Sequence, residues 1–294
     1  MKYKSVVVSA RGGPEVIEIV EKELLPPGVG EALVKILAAP LTQDDVAVRV
    51  GNRPWLAELP FVPGYSILGI VEAVGEGISQ VVAGDRVVSL TNFGGHAEYI
   101  TLPEEKLVHV PDGLDAAEAV ALVLNYLVAY QILHRVAGVK DGDRVLIVGA
   151  SGGCGTAFLQ LGKLAGLKMY GLASHGKHDI LREYGAIPID YHTQDFVDVI
   201  GEAEPEGIDF VFNGMGEEYV RRGMETLKRG GVLVQYGAPQ TKSGFYSFVA
   251  QFIYHNLLPN GKRIKGYGTH RLGVDLFAED WGALFGLLEA GKIK

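Results

Sequence analysis

Four glycines fall within seven residues in Gly149-Ala150-Ser151-Gly152-Gly153-Cys154-Gly155, directly after the apolar run Val145–Val148. Glycine at this density lets main-chain amides approach an anionic group that side chains would hold off. A buried strand running into the turn, and a helix leaving it, would aim the helix N-terminus at the same group. The pattern predicts a turn that cradles the pyrophosphate of a dinucleotide, with Gly149, Ala150, Ser151, Gly152, Gly153, Cys154 and Gly155 against it. About twenty residues on, a 2′-hydroxyl would call for Asp or Glu. The chain instead has Leu172-Ala173-Ser174-His175-Gly176-Lys177. A small hydroxyl followed by two potential cations suits a 2′-phosphate, which favours NADPH over NADH. The plainer reading is that Lys177 opens a solvated helix. Cys154 sits where a small residue is needed and reads as packing rather than redox chemistry.

The elements that must position this turn differ between the two halves of the chain. Up to residue 122 the sequence reads as short Val/Ile-rich strands: Ser5–Val8, Glu15–Val20, Ala32–Ala38, Ile67–Val74, Arg86–Leu90, Ala97–Leu102 and Leu107–Val110. Gly-Gly-Pro, Pro-Pro-Gly and Gly-Asp punctuation separates them, as in an irregular β-barrel or sandwich with few helices. A helical stretch, Leu114 to Val136, follows behind Asp112 or Asp115 as cap. From about Lys140 strands and helices alternate, and Arg144–Val148, Lys168–Ala173, Ile187–Ile189, Asp209–Phe212, Val232–Tyr236 and Ile264–Tyr267 are the strands. That alternation predicts an α/β fold with a parallel, doubly wound sheet. The boundaries expected are 1–122 for a substrate domain, 123–269 for a dinucleotide domain, and 270–294 for a return to the first.

Composition narrows the function class. The 294 residues carry 27 Lys and Arg against 35 Asp and Glu, a formal net charge of −8. An acidic chain with a pI near 5.5 argues against nucleic acid or an anionic membrane as a general partner. Glycine, at 40 residues, is about twice as frequent as average. The single cysteine excludes an intrachain disulfide and a thiolate-rich zinc cage. No apolar leader with a small-residue cleavage site opens the chain, and the run Ala116–Leu133 is interrupted by Glu118, Asn125 and Gln131. The expectation is a cytoplasmic protein with no membrane span.

Gly149–Gly155, preceded by Gly12-Gly13-Pro14-Glu15-Val16, Phe61-Val62-Pro63-Gly64 and Gly95-His96-Ala97-Glu98-Tyr99, resembles the zinc-independent quinone oxidoreductases of the medium-chain dehydrogenase/reductase superfamily. The match is colinear across the whole chain. The resemblance implies a chaperonin-10-like β-barrel domain, a Rossmann domain, and an active site in the cleft between them. It implies that Lys177 meets the cofactor phosphate, that Tyr191 lies near the adenosine, and that Asn213 and Gly237 (in Gln235-Tyr236-Gly237-Ala238) border the ribose and nicotinamide. The places of the zinc ligands found in the superfamily's alcohol dehydrogenases fall on Thr42, Tyr65 and Leu124. A hydroxyl, a phenol and an alkane cannot form a zinc site, so no metal is expected.

Departures from the family pattern accompany the likeness. Thr42 replaces a common Asn while Asp45 and Arg49 remain, Ser66 replaces a common Glu, and Val128-Ala129-Tyr130 replaces Thr-Ala-Tyr. Asn125-Tyr126 resembles the branch related to vesicle amine transport protein. Relatives continue beyond Lys294, so a truncated chain is expected. Without a Lewis acid, acceptors that already delocalise charge fit best: quinones or α,β-unsaturated carbonyls. Tyr65, Asn125 or Tyr130 would donate to the developing oxyanion, Tyr65 first because it stands in a metal-ligand place. His96 reads as a turn residue. His134-Arg135, Arg221-Arg222 and the Lys262-Arg263/Lys265 cluster read as solvated faces. The other readings are a non-catalytic NADPH-binding protein and, less favoured, a zinc alcohol dehydrogenase. Ile264, Tyr267 and the apolar Phe245–Leu258 segment beside an edge strand predict a homodimer.

Overall fold

The computed structural model describes residues 1–53, 56–237, 242–269 and 274–294. The chain divides into two units: the first gathers residues up to Leu127 together with the helix Val274–Glu289, and the second runs from Val128 through the last strand.

In the first unit β1 (Lys2–Val8) and β2 (Ile17–Glu23) form an antiparallel ribbon. β3 (Glu31–Ala38), β4 (Ser66–Val74), β5 (Arg86–Leu90), β6 (Tyr99–Pro103) and β7 (Val108–His109) make an antiparallel sheet in the order β6-β3-β4-β5-β7. Period-two alternation turns Ala32, Val34, Ile67, Val71 and Val87 into one core. Full burial of each larger aliphatic among them contributes about 1.5–3 kcal/mol. All seven strands read from the sequence are present.

The expectation of few helices missed Gln43–Arg49, whose valines look strand-like. Its start is fixed by a reciprocal cap: the Asp45 amide donates to Thr42 Oγ1 (3.3 Å) and the Thr42 amide donates to Asp45 Oδ2 (2.8 Å). The helix Ala116–Ala137 is capped by Asp115, which accepts from the amides of Ala117 and Glu118 (2.9 and 3.0 Å). It ends at Gly138, whose φ of 66° lies in the left-handed region that closes helices. Two stretches of it, Leu122–Tyr126 and Ile132–Ala137, are wound as π-helix. Trp281 Nε1 donates to the Val123 carbonyl (3.1 Å) in the first of these. This helix is long and apolar enough to cross a membrane by composition, but 61% of its most apolar window is buried in the fold.

The second unit is a six-stranded, wholly parallel sheet. Its strands are β8 (Arg144–Val148), β9 (Lys168–Ala173), β10 (Ile187–Asp190), β11 (Ile208–Asn213), β12 (Leu227–Gln235) and β13 (Arg263–Gly266), in the order β10-β9-β8-β11-β12-β13. Leu146, Val148, Leu172, Ile189, Val211, Leu233 and Ile264 pack its core. Ile264 is only 2% exposed, so it belongs to that core and not to the dimer surface expected of it. The apolar surface beside it comes from the helix Lys242–Leu257, where Phe245, Tyr246, Ile253 and Leu257 are more than half exposed. Tyr267 is likewise engaged, donating its hydroxyl to Gln131 Oε1 (2.6 Å). The basic cluster is less solvated than its composition suggests: Lys262 Nζ donates to Met224 O and Lys265 Nζ to Val136 O (2.8 and 2.7 Å).

Candidate functional site

The strand order reverses between β8 and β11. From β8 the chain winds outward through β9 and β10, and from β11 it winds the other way through β12 and β13. A crevice must open outside the C-terminal ends of β8 and β11, where the two sets of connections part. Val148 and Asn213, in register with each other, are the last residues of those strands. The turns Gly149–Gly155 and Asn213–Gly216 therefore leave the sheet side by side.

The glycines of the first turn serve different ends. Gly149 has φ +78°, a conformation few other residues adopt, and the next amide, Ala150 N, donates to Leu172 O (3.0 Å) to tie the turn to β9. A Cβ on Gly155 would lie 2.3 Å from Gly149 O, so close packing of helix on turn requires glycine there. Gly152 is exposed, has an ordinary extended backbone (φ −80°, ψ 175°), and its Cβ would meet only Gly149 O at 3.4 Å. Among the described residues nothing in the packing bars a side chain at Gly152. The helix Gly153–Leu164 begins here with no side-chain cap and no acidic residue in its first turn. An uncapped, uncharged helix start beside a glycine that packing does not require fits the phosphates of a dinucleotide.

At the C-terminal end of the neighbouring β9, Ser174 follows the strand, and His175–Lys177 form a short 3₁₀ turn. Lys177 is exposed and has no ion pair among the described residues. The neighbouring β10 ends at Asp190, in register with Ala173, but this carboxylate is turned onto its own loop and accepts from the His192 amide (3.0 Å). That hydrogen bond is the main reason its pKa lies below the ordinary value. Tyr191, half exposed, stands beside the His192 ring with centroids 4.2 Å apart.

Asn213 is fully buried and its side chain is saturated. Nδ2 donates to Gly216 O (3.1 Å) and Gln235 Oε1 (2.7 Å), and Oδ1 accepts from Met215 N (3.0 Å). Gln235 Nε2 in turn donates to Met215 O and Gly237 O (3.0 and 2.7 Å). The side chain of Asn213 thus holds loops rather than facing open space. A Cβ on Gly237 would lie 2.2 Å from Gly214 O, so the loops after β11 and β12 meet backbone to backbone. Ala238 lies outside the described residues. Two residues of this end escaped the sequence reading: Gln235, and Met215, whose Sδ is 3.3 Å from a Cβ built on Gly149. Only the glycines flanking Met215 hint at them. Cys154 is half buried, and burial together with the nearby Cys154 pushes the Tyr236 phenol far above its usual pKa.

In the first unit, Asp45 organises the region that includes Thr42 and Tyr65. Its Oδ2 accepts from the Thr42 hydroxyl (2.7 Å), and its Oδ1 accepts from the Gly64 amide (2.8 Å). Gly64, at φ +109°, has no room for a Cβ, which would sit 2.3 Å from His96 N. His96 is indeed a turn residue, its Nε2 3.1 Å from Pro40 O. The Tyr65 carbonyl accepts from Thr91 and Asn92 (2.9 and 3.2 Å), which fixes the base of that half-buried side chain. Asn125 lies in the π-helical turn Leu122–Tyr126, which packs on β4 and β5. Such turns recur at functional sites. Tyr130 belongs to the second unit, its ring 4.5 Å from that of His134. Among the described residues no three His, Cys, Asp or Glu gather as a metal set.

A GroES-like sheet unit and a parallel sheet with a glycine-rich switch point define a two-domain dehydrogenase fold. Residues 28–112 match the Alcohol dehydrogenase GroES-like domain, and residues 153–288 match the Zinc-binding dehydrogenase family. The Synaptic vesicle membrane protein VAT-1 homolog of Rattus norvegicus is 36% identical over 82% of this chain, which spans 61% of that relative's length. The Quinone oxidoreductase of Sus scrofa is 33% identical, covering 77% of this chain and 70% of its own. Among solved structures, Escherichia coli quinone oxidoreductase complexed with NADPH superposes with a TM-score of 0.89 at 25% identity, over 99% of this chain and 89% of that one. The chain belongs to the medium-chain dehydrogenase/reductase superfamily, in its quinone-oxidoreductase-like branch. Its parallel-sheet unit is the nicotinamide-dinucleotide domain of that fold.

Proposed function

We propose that the protein is a zinc-independent, NADPH-dependent oxidoreductase that passes hydride to a quinone or an α,β-unsaturated carbonyl. The observation that carries this reading is Gly152, an exposed and unstrained residue at which no described neighbour requires a missing side chain. NADPH, when bound, supplies the hydride, and the protein supplies position and electrostatics. Gly149, Ala150, Ser151, Gly152, Gly153, Cys154 and Gly155 hold the pyrophosphate. Ser174 and Lys177 take the 2′-phosphate, and Tyr191 lies against the adenosine. Asn213 is a positioning residue that acts through Met215, Gln235 and Gly237.

Zinc independence rests on donor chemistry. The Thr42 hydroxyl is held by Asp45, and Tyr65 and Leu124 complete a set that lacks the Cys and His ligands of a tetrahedral site. Acceptors that already delocalise charge need only a hydrogen-bond donor at the developing oxyanion, and Tyr65, Asn125 and Tyr130 are the candidates. The physiological form is a cytoplasmic homodimer that pairs through β13 and the exposed face of the helix Lys242–Leu257. A non-catalytic NADPH-binding role is favoured instead by the 36% identity to a synaptic vesicle membrane protein. Steady-state NADPH loss with a benzoquinone and with an enone, on chelator-treated protein beside a cofactor titration, separates the readings. Turnover without metal is expected. Binding without turnover supports the non-catalytic role, and turnover only after zinc is restored overturns the proposal.

A further inference from the structure

A π turn closes its hydrogen bond one residue later than an α turn, and the helix Ala116–Ala137 has such a turn at Leu122–Tyr126. In a regular α-helix the Leu127 amide would donate to the Val123 carbonyl. Here it donates to Leu122 O and Leu124 O, so at Leu127 the ladder steps past Val123. The carbonyl is taken instead by a side chain from far along the chain. Trp281 Nε1, on the helix Val274–Glu289, donates to Val123 O (3.1 Å). Both residues belong to the first unit.

Each group needs the other. Val123 is fully buried and Trp281 is 2% exposed, so neither is open to solvent. An indole N–H can only donate, and a carbonyl or an N–H left unpaired in such surroundings is costly. The extra residue of the turn cannot simply vanish, because Val120 and Leu127 on either side of it are both buried. It can only pass to a neighbouring turn, and a donor fixed at Val123 O decides which turn carries it. Leu124 and Asn125 are the half-buried positions between the buried pairs Leu122–Val123 and Tyr126–Leu127. Moving the extra residue past them would turn Asn125 by about 100° around the helix axis.

We infer that Trp281 is a positioning residue: its indole pins the π turn at Leu122–Tyr126 and with it the direction of the Asn125 side chain. The consequence for turnover rests on the hydride-transfer reading, in which Asn125 is a candidate donor to the oxyanion. The direction of Asn125 is measurable without that reading.

The test pairs NMR of the full chain labelled with ¹⁵N-asparagine with steady-state kinetics. The Asn125 side-chain signal is assigned by its loss in Asn125→Asp. Trp281→Phe, which keeps a ring and removes the donor, should shift that signal and leave the Asn213 signal in place. Phe277→Leu, which trims the ring packed on Trp281 (centroids 5.7 Å apart) but keeps the donor, should leave both in place. With an enone, kcat should fall at least about ten-fold in Trp281→Phe while KM for NADPH holds. If Trp281→Phe folds poorly, 3-benzothienylalanine placed at Trp281 exchanges N–H for sulfur in the same fused ring and should give the same shift. An unmoved Asn125 signal, an equal shift in Phe277→Leu, or a shifted signal with unchanged kcat would each overturn the inference. A shift specific to loss of the donor, in a protein whose wild type reduces no enone or quinone, would support the pinning and refute the hydride-transfer reading.

Discussion

Where β8, β9 and β12 begin, the parallel sheet is laced with charge, and where they end it is built of glycine and amides. At the starting end Arg144 reaches Asp209 (3.2 Å) and Glu204 (3.4 Å), Lys168 Nζ and Tyr170 Oη reach Glu204 (2.7 and 2.8 Å), and Lys228 pairs with Asp209. Both carboxylates are less than a tenth exposed. Burial works against ionising them, yet the hydrogen bonds outweigh it and hold both pKa values below the ordinary carboxylate range. At the other end Asn213 and Gln235 tie the loops through neutral hydrogen bonds, and Gly149, Gly152 and Gly155 shape the turn. An end whose charges satisfy one another is complete in itself. An end that presents main-chain amides and withholds counter-charge is suited to an anion.

A pair of substitutions within one turn separates the glycine that packing needs from the one that a ligand would need. Gly155→Val should destabilise the fold by about 3 kcal/mol or more, because its Cβ meets backbone. Gly152→Val should leave the melting temperature nearly unchanged while weakening cofactor binding at least about a hundred-fold, or about 2.7 kcal/mol. Thermal melts beside fluorescence titration check both, and wild-type affinity in Gly152→Val would put the phosphates elsewhere.

At the charged end Asp209→Asn should cost about 2 kcal/mol in urea unfolding, since it strands Lys228 without a counter-charge and leaves Arg144 with Glu204 alone. The same groups set the acid response. Because Glu204 and Asp209 have depressed pKa values in the folded state, their contribution is present above the unfolded carboxylate range, near pH 4, and is lost as pH falls through the folded values. Melts between neutral pH and about pH 3 should show a steep loss that flattens in the double variant Glu204→Gln/Asp209→Asn. An unchanged slope would mean that these carboxylates do not set the acid response.

The smallest effect expected is one of selectivity. Lys177→Ala should erase most of an at least ten-fold preference for NADPH, about 1.4 kcal/mol, and leave NADH binding nearly unchanged. Equal loss for both cofactors would make Lys177 structural.

The glycine end was legible in the sequence because one contiguous segment carries its strand, turn and helix. The charged end was not, since Arg144, Lys168, Glu204, Asp209 and Lys228 are far apart along the chain and only the parallel register gathers them. Asn213 was singled out, but its saturation by Gly216, Gln235 and Met215 depends on a loop closure that spacing does not reveal. The helix Gln43–Arg49 carried a readable signal, Thr42 three residues before Asp45, which the surrounding valines masked. The helix Lys242–Leu257 read only as an apolar segment, because large apolar residues lie on its exposed side as well as its packed one.

On the proposed function, the glycine end holds a cofactor whose hydride leaves to a conjugated acceptor. NADPH carrying deuterium at the transferring position of nicotinamide C4, mixed with excess protein and an enone in a single turnover, tests it most directly. Deuterium on the β-carbon of the reduced enone, at a rate cut at least about a hundred-fold in Gly152→Val, is the predicted result. An unreduced enone beside fully bound NADPH would contradict it.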